Sequence, residues 1–135
     1  MIKISPSILS ADILKLDEEV RSLDLNGADY IHIDIMDGHY VPNITFGPNI
    51  VKSLRKVTSK ILDVHLMIKP VKKYINEFVE AGSDIITFHP EADDNPEEII
   101  KMISDAEIKA GIAIHPKVNI TAVSYTHLTL PTIGC

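Results

Sequence analysis

The chain has 135 residues, a formal net charge of −6 from 13 basic and 19 acidic side chains, and 45% hydrophobic residues. This composition predicts a folded globular domain, and the scattered Lys and Arg residues argue against nucleic acid or an anionic membrane as the main partner. The sequence shows no apolar run of membrane-spanning length, no signal-peptide pattern and a single cysteine, Cys135. These features exclude a disulfide framework and a cysteine zinc site, and they favour a cytoplasmic protein that acts on a small molecule.

The hydrophobic pattern predicts strands and helices in alternation. Strands are expected over residues 2–9, 30–36, 61–68, 84–88 and 112–115. Helices are expected from residue 13 to Gly27, over 50–56, from Pro70 to Gly82, and from Asn95 to about Lys109. This alternation is typical of βαβ units and a parallel sheet.

The predicted strands are apolar on one side and polar on the other. In the strand over 61–68, Asp63 and His65 alternate with leucines and a valine. Strands of a doubly wound sheet are covered on both faces and are apolar throughout, whereas a barrel can direct polar side chains inward near its catalytic end. The pattern therefore predicts an α/β fold of the TIM (β/α)8 barrel class. Because such a barrel takes about 250 residues, we expect only about the first five βα units.

The end of the chain differs from the rest. Residues 124–135 continue neither a helical nor a strand pattern. We interpret them as a non-native tail, such as a fusion scar or a misassembled reading frame, with a frayed native terminus as the alternative. The predicted organisation is therefore a partial barrel over 1–123 followed by this tail.

A histidine and a carboxylate lie two residues apart in the predicted strand over 30–36. His32 and Asp34 share one face of that strand, since side chains alternate with period two, and His65 has the same inward parity in the following strand. Barrel enzymes place catalytic residues at such strand ends, and two imidazoles with a carboxylate suit Zn²⁺, Fe²⁺, Mn²⁺ or Co²⁺. We predict a metal site at His32, Asp34 and His65, although a single strand histidine is more often structural.

Other residues of the same parity are candidates for the site. Asp34 could be a general base that removes a proton alpha to a carbonyl, or a ligand only. Ser7 could bind a substrate hydroxyl or satisfy backbone groups. Met36 and Met67 could line the site, although packing is the commoner role of methionine.

Two further strand-end histidines rank lower. His89 and His115 have no neighbour of suitable chemistry in the sequence. Glycine-rich nucleotide motifs and a recognisable phosphate-binding motif are also missing from the sequence.

Four segments of the chain resemble ribulose-phosphate 3-epimerases. They are SPSILSAD (5–12), HIDIMDGHYVPNITFGP (32–48), DVHLM (63–67) and FHPEA (88–92). The resemblance implies a TIM-barrel isomerase of the pentose phosphate pathway that interconverts D-ribulose 5-phosphate and D-xylulose 5-phosphate through a metal-stabilised enediolate. It also implies a sugar-phosphate substrate, one divalent metal ion, foremost Zn²⁺ or Fe²⁺ with Mn²⁺ or Co²⁺ as alternatives, and a homo-oligomeric parent enzyme.

The resemblance also assigns roles to individual residues. It implies that His32, Asp34 and His65 are metal ligands and that Asp34 is the proton acceptor. Ser7 and His65 match substrate contacts. Met36 and Met67 match residues that pack against the reacting part of the substrate.

The resemblance also implies functional groups that are not in this chain. In the family, a second aspartate on strand seven returns the proton and is the fourth metal ligand, and phosphate-binding loops follow strands seven and eight. His115-Pro116 stands where the family usually has Asn-Pro. We therefore expect the chain to be inactive alone. The alternatives are an epimerase for another ketose phosphate, such as allulose 6-phosphate, and a non-catalytic metal-binding half-barrel that assembles with another chain.

Overall fold

A computed structural model of the chain describes residues 1–93, 95–119 and 121. Its four strands are β1 (Tyr30–Met36), β2 (Ile61–Met67), β3 (Ile85–Phe88) and β4 (Lys109–Ile112). They form one parallel sheet in the order β1-β2-β3-β4. A doubly wound sheet reverses its strand order at a switch point, whereas strands of a barrel follow one another in sequence. The predicted α/β fold is confirmed, and the described residues form part of a barrel.

Four helices lie before and between the strands. They are α1 (Leu16–Leu25), α2 (Pro48–Arg55), α3 (Ile75–Glu80) and α4 (Pro96–Asp105). The Asn95 side chain caps α4 by accepting a hydrogen bond of 3.2 Å from the Glu98 backbone N–H. Gly27 and Gly82 follow α1 and α3 with positive φ angles of 87° and 104°, which allow the chain to turn toward the next strand. None of the helices within the described ranges has both the length and the apolarity that a membrane crossing requires.

The hydrophobic core lies between the sheet and the helices. Ile31 and Ile33 of β1 and Leu62 and Val64 of β2 are all 0% exposed. The helices cover them with the buried side chains Val20, Val51, Leu54, Ile75, Phe78, Ile99 and Ile103. Since alternate residues point to opposite faces, the other face of the sheet carries the polar residues of β1 and β2.

The predicted first strand, over 2–9, is wrong as a regular strand. This segment runs beside β1, where the backbone carbonyls of Ile4 and Pro6 accept hydrogen bonds from Tyr30 (3.1 Å) and His32 (2.9 Å). Its own donors do not complete a ladder, because Pro6 has no N–H and the Ile4 N–H donates to the Asp29 carboxylate at 2.8 Å. Within the described residues, the pairing of this segment with β1 amounts to an isolated bridge between Ser7 and His32.

Three other boundaries differ from the sequence prediction. Helix α4 ends at Asp105 rather than near Lys109, and β4 begins at Lys109 rather than at residue 112. Glu107 has a positive φ of 60°, which reverses the chain after α4, and pairing with Ile85 then brings Lys109 into the sheet. Helix α3 begins five residues after Pro70, because a 3-10 turn over Lys72–Tyr74 precedes it. The predicted tail, 124–135, lies outside the described residues.

Candidate metal centre

The parallel register of β1 and β2 brings the predicted metal ligands together. Asp34 lies opposite His65, and His32 lies opposite Asp63. Neighbouring strands are about 4.8 Å apart, so side chains paired in this way on the same face are in contact. The polar face of the sheet therefore contains two histidines and two aspartates side by side.

The three predicted ligands point their donor atoms toward one another. Asp34 Oδ1 lies 3.1 Å from His32 Nε2 and 3.3 Å from His65 Nδ1. One donor atom from each residue lies within 4.8 Å of the other two. Two ligands bound about 2 Å from a tetrahedral ion are about 3.3 Å apart, so this donor set fits a divalent metal. Among the described residues, His32, Asp34 and His65 form a group that could hold a metal ion.

The second oxygen of Asp34 is held by Ser7. The Ser7 hydroxyl donates to Asp34 Oδ2 at 2.6 Å, and its oxygen accepts a 3.1 Å hydrogen bond from the Leu9 backbone N–H. Ser7 thus satisfies a backbone donor, one of the two roles that the sequence left open, and it also contacts a predicted metal ligand. Its contact with a substrate remains a prediction.

His32 is held from its other ring nitrogen by Asp63. His32 Nδ1 lies 2.8 Å from Asp63 Oδ2, and the Ser5 hydroxyl donates to the same oxygen at 3.2 Å. A carboxylate behind a histidine is the usual way in which proteins orient an imidazole for metal binding. Asp63 therefore supports the side of His32 that faces away from Asp34.

These contacts shift the pKa values of His32 and Asp34 in opposite directions. Burial lowers the pKa of His32, but hydrogen bonds to Asp34 and Asp63 raise it by more, to about 9. Burial raises the pKa of Asp34, but its contacts with the His32 and His65 rings and the hydrogen bond from Ser7 outweigh this effect and hold it well below its usual range. The two side chains form an imidazolium–carboxylate pair, and a cation bound between them would replace the proton on His32 Nε2.

His65 contacts a second group of polar side chains beyond β2. Its Nε2 lies 2.9 Å from His89 Nε2. Glu91 follows, with Oε1 3.5 Å from His89 Nδ1, and the Tyr40 hydroxyl donates to that same oxygen at 2.6 Å. Burial and the neighbouring His65 lower the pKa of His89, so its ring is neutral at pH 7. Burial and Glu91 raise the pKa of Tyr40, which keeps its hydroxyl protonated.

The two predicted methionines lie next to the donor set. Met36 and Met67 pair in register at the carboxyl ends of β1 and β2, two residues beyond Asp34 and His65, and both are partly exposed. This position is compatible with the wall of a site at the carboxyl end of the sheet. Their contact with a substrate remains a prediction.

The sheet order, the donor set and the sequence all support membership of one protein family. Residues 3–133 match the sequence profile described as the Ribulose-phosphate 3 epimerase family. The chain belongs to the ribulose-phosphate 3-epimerase family. The match also extends into the segment for which a non-native tail is predicted, and that prediction stays untested.

Curated relatives from several bacteria bear the name ribulose-phosphate 3-epimerase. The protein of Rhodobacter capsulatus is 44% identical over 134 residues, covering 99% of this chain and 58% of the relative. The protein of Bacillus subtilis is 46% identical over 125 residues, covering 93% of this chain and 58% of the relative. The protein of Escherichia coli K12 is 45% identical over 124 residues, covering 90% of this chain and 55% of the relative. The chain therefore spans a little over half the length of these relatives.

A solved structure resembles the fold across a large difference in sequence. The 7,8-dihydropteroate synthase of Vibrio fischeri ES114 aligns with a TM-score of 0.59 and 13% identity. The alignment covers 93% of this chain and 48% of that chain. At this identity the likeness concerns the fold alone.

Sequence reasoning missed two residues that contact the predicted ligands. Asp63 was placed on the polar face without a role, although its alternation with His65 is the signal that could have identified it. His89 was ranked low for want of a suitable neighbour, and that interpretation is wrong, because His89 contacts His65, Tyr40 and Glu91. His115 is exposed and bonds locally to the Lys117 backbone N–H at 3.3 Å.

Proposed function

We propose that this chain carries the metal-binding half of a C3 epimerase site for D-ribulose 5-phosphate. The observation that carries the proposal is the position of Asp34, whose Oδ1 faces both His32 Nε2 and His65 Nδ1 while Ser7 holds its Oδ2. The family match and the names of the relatives support the same reaction. A divalent ion held by His32, Asp34 and His65 would stabilise the negative charge that develops on the substrate oxygens when the C3 proton leaves.

Asp34 is the proposed proton acceptor. Its low pKa keeps the carboxylate ionised at neutral pH, as a base requires. We assign the proton to Oδ2, because Oδ1 faces the two imidazoles. The Ser7 hydroxyl fixes the direction of Oδ2 and is placed to contact the substrate. Met36 and Met67 are proposed to exclude water from the reacting part of the sugar.

The reaction also needs a proton donor on the opposite side of C3. The resemblance places this second aspartate on strand seven and the phosphate-binding loops after strands seven and eight, in the part of the relatives that extends beyond the match. We propose that the 135-residue chain removes and returns the C3 proton on one face only. Epimerisation by the chain alone is therefore expected to be undetectable.

Solvent exchange in D₂O tests this proposal directly. The chain is incubated with Co²⁺ and a high concentration of D-ribulose 5-phosphate, and deuterium at C3 is followed by NMR. The wild-type chain should incorporate deuterium without forming D-xylulose 5-phosphate, whereas Asp34→Asn should match the background of Co²⁺ alone. Equal exchange by the wild type and by Asp34→Asn would contradict the role of Asp34. Rapid formation of xylulose 5-phosphate would contradict the one-sided site.

The same assay addresses the sugar. We propose that loops outside the described residues read substrate length, so that the proposed site does not itself discriminate between ketose phosphates. Comparing C3 exchange in ribulose 5-phosphate and allulose 6-phosphate at equal concentration measures any preference. Faster exchange in allulose 6-phosphate would favour the alternative epimerase.

Exposed apolar residues near the amino terminus favour a second candidate, a non-catalytic half-barrel that assembles with another chain. Ile2, Ile4, Ile13 and Leu14 are 90%, 57%, 62% and 94% exposed. Large exposed apolar patches commonly mark surfaces that contact a partner. Light scattering coupled to gel filtration distinguishes the candidates: a discrete oligomer that binds Co²⁺ without C3 exchange favours the half-barrel, and C3 exchange favours the epimerase site.

A further inference from the structure

The imidazole of His65 is bounded by different groups on its two sides. Nδ1 faces Asp34, and Nε2 lies 2.9 Å from His89 Nε2, with the two rings stacked at 25° and 5.0 Å between centroids. We infer that His89 and Glu91 are positioning residues that keep the proton of His65 on Nε2, so that Nδ1 offers its lone pair to a divalent cation. This inference rests on the proposed metal centre.

The single proton between the two facing nitrogens determines whether Nδ1 of a neutral His65 carries a lone pair or a proton. A neutral imidazole has one N–H donor and one acceptor nitrogen. If His65 Nε2 donates to His89, then His65 Nδ1 is a free lone pair. If His89 Nε2 donates instead, the proton of neutral His65 lies on Nδ1 and has to leave before a cation can bind there. Asp34 favours the second arrangement, because its carboxylate, 3.3 Å away, attracts a proton to Nδ1.

Glu91 lies at the far end of the His65–His89 pair and opposes the effect of Asp34, because it attracts a proton to His89 Nδ1. Its Oε1 lies 3.5 Å from His89 Nδ1, which is buried and has no hydrogen-bond partner among the described residues. A carboxylate only accepts hydrogen bonds, so Glu91 can satisfy Nδ1 only if that nitrogen carries the proton. Closing the gap by about 0.5 Å would complete this hydrogen bond. With its proton on Nδ1, His89 has to accept at Nε2, and His65 has to donate.

Tyr40 holds this carboxylate in place. Its hydroxyl donates to Glu91 Oε1 at 2.6 Å, and its ring contacts the His89 ring with 5.1 Å between centroids. Tyr40 comes from the loop after β1, whereas His89 and Glu91 follow β3. The three residues therefore connect two strand ends that flank β2, and they enclose the far side of the His65 ring.

The arrangement has a counterpart on the other imidazole. His32 Nδ1 contacts the Asp63 carboxylate directly at 2.8 Å. Each predicted imidazole ligand therefore has a carboxylate behind it, directly at His32 and through His89 at His65. Such partners fix the tautomer of a ligating histidine, and their removal typically costs about 10–100-fold in metal affinity.

The test combines two measurements on the ¹⁵N-labelled 135-residue chain. Long-range ¹H–¹⁵N NMR of the imidazoles reports the tautomers of His65 and His89 without any metal, and visible absorption reports Co²⁺ binding. The variants are Glu91→Gln, whose amide can donate to His89 Nδ1, and the matched control Glu80→Gln at the exposed end of α3. His89→Gln retains an acceptor for His65 Nε2, whereas His89→Leu removes it.

The wild type is expected to have protons on His65 Nε2 and His89 Nδ1. Glu91→Gln should move the His65 proton to Nδ1 and lower Co²⁺ affinity about 10–100-fold, while Glu80→Gln changes it less than about twofold. His89→Gln should keep most of the affinity that His89→Leu loses. Unchanged tautomers and affinity in Glu91→Gln would overturn the inference and leave the metal centre intact. Absence of Co²⁺ binding by the wild type would overturn both. If the variants fail to fold, a wild-type proton on His65 Nδ1 overturns the inference by itself.

Discussion

Asp34 and His65 pair across β1 and β2, and Asp34 Oδ1 lies 3.3 Å from His65 Nδ1. The contact results from the parallel register, which places a carboxylate of one strand beside an imidazole of the next. Because His32 lies on the same face two residues before Asp34, the register also brings its Nε2 within 3.1 Å of Asp34 Oδ1. The donor set is therefore built on adjacent strands, which hold ligands more rigidly than loops do.

The carboxylate behind His32 gives a first prediction. Asp63→Asn should weaken Co²⁺ binding about 10–100-fold, because His32 loses the charged partner that orients its ring. Ser5→Ala removes only the 3.2 Å hydrogen bond to Asp63 and is the matched control, with an expected change under about threefold. Co²⁺ titration followed by visible absorption measures both, and thermal unfolding checks that the variants remain folded. Equal affinity of Asp63→Asn and the wild type would show that Asp63 does not support the ligand.

A substitution at Ser7 can test the proposed proton transfer separately from the proposed metal binding. Its hydroxyl contacts Asp34 Oδ2, whereas the predicted ligand atom is Oδ1. Ser7→Ala should therefore slow C3 deuterium exchange about tenfold, the equivalent of one lost hydrogen bond of about 1.4 kcal/mol, and change Co²⁺ affinity less than about threefold. Exchange and titration are measured on the same sample. A larger loss of Co²⁺ affinity than of exchange would assign Ser7 to the metal site instead.

The alternation of residues along β1 and β2 made the central strands and three site residues predictable. Period two alone places His32, Asp34 and His65 on one face, and the structure confirms that shared face. The edges were less predictable, because the backbone donors of the segment beside β1 depend on Asp29 and β4 depends on pairing with β3. These are tertiary contacts that a local pattern does not contain.

The residues that contact the predicted ligands from the far side of each imidazole could not be predicted from the sequence for a related reason. Asp63 and His89 matter because of what lies opposite them, and strand register is a property of the folded sheet. The contact between Tyr40 and Glu91 joins residues 51 positions apart in the chain. A lone histidine at a strand end is therefore weak evidence in the sequence, even where the fold gives it three polar neighbours.

Asp37 gives a prediction for pH dependence. Burial raises its pKa, but hydrogen bonds from the backbone N–H groups of Lys69, His39 and Tyr40, each 2.8 Å long, lower it by more. A lowered pKa stabilises the folded chain above the unfolded value of about 3.9, and this contribution is lost as the pH falls through the folded value. The free energy of unfolding should therefore decrease below about pH 4.

Asp37→Asn tests that contribution. Urea unfolding at pH 7 should show a loss of up to about 1 kcal/mol, since solvent screens this partly exposed carboxylate, and the difference between variant and wild type should shrink toward pH 3. Glu80→Gln, at an exposed helix end, should change the free energy of unfolding by less than about 0.5 kcal/mol at pH 7. A difference that stays constant between pH 7 and pH 3 would show that the Asp37 charge does not contribute.

Arg55 gives the last prediction, at the opposite end of the sheet from the candidate metal centre. Its guanidinium donates to the Asp84 carboxylate and to the backbone carbonyls of Thr58 and Lys60, each at 2.7 Å. These partners precede β2 and β3, so Arg55 joins the amino-terminal ends of both strands. Lysine keeps the charge but lacks the planar fork that reaches several acceptors at once.

Arg55→Lys should therefore lower the free energy of unfolding by about 1–3 kcal/mol, because at least two buried or half-buried acceptors lose a charged donor. Co²⁺ affinity of the folded variant should stay within about twofold of the wild type, since the amino-terminal end of the strands in a barrel contributes to stability rather than to catalysis. Lys101→Ala, which breaks an exposed pair with Asp105 on α4, is the control and should leave the free energy of unfolding nearly unchanged, because solvent screens this pair. Urea unfolding measures the contribution of Arg55 to stability, and Co²⁺ titration measures any effect on the candidate metal centre. A loss of Co²⁺ affinity in Arg55→Lys without a loss of stability would show that the two ends of the sheet are coupled.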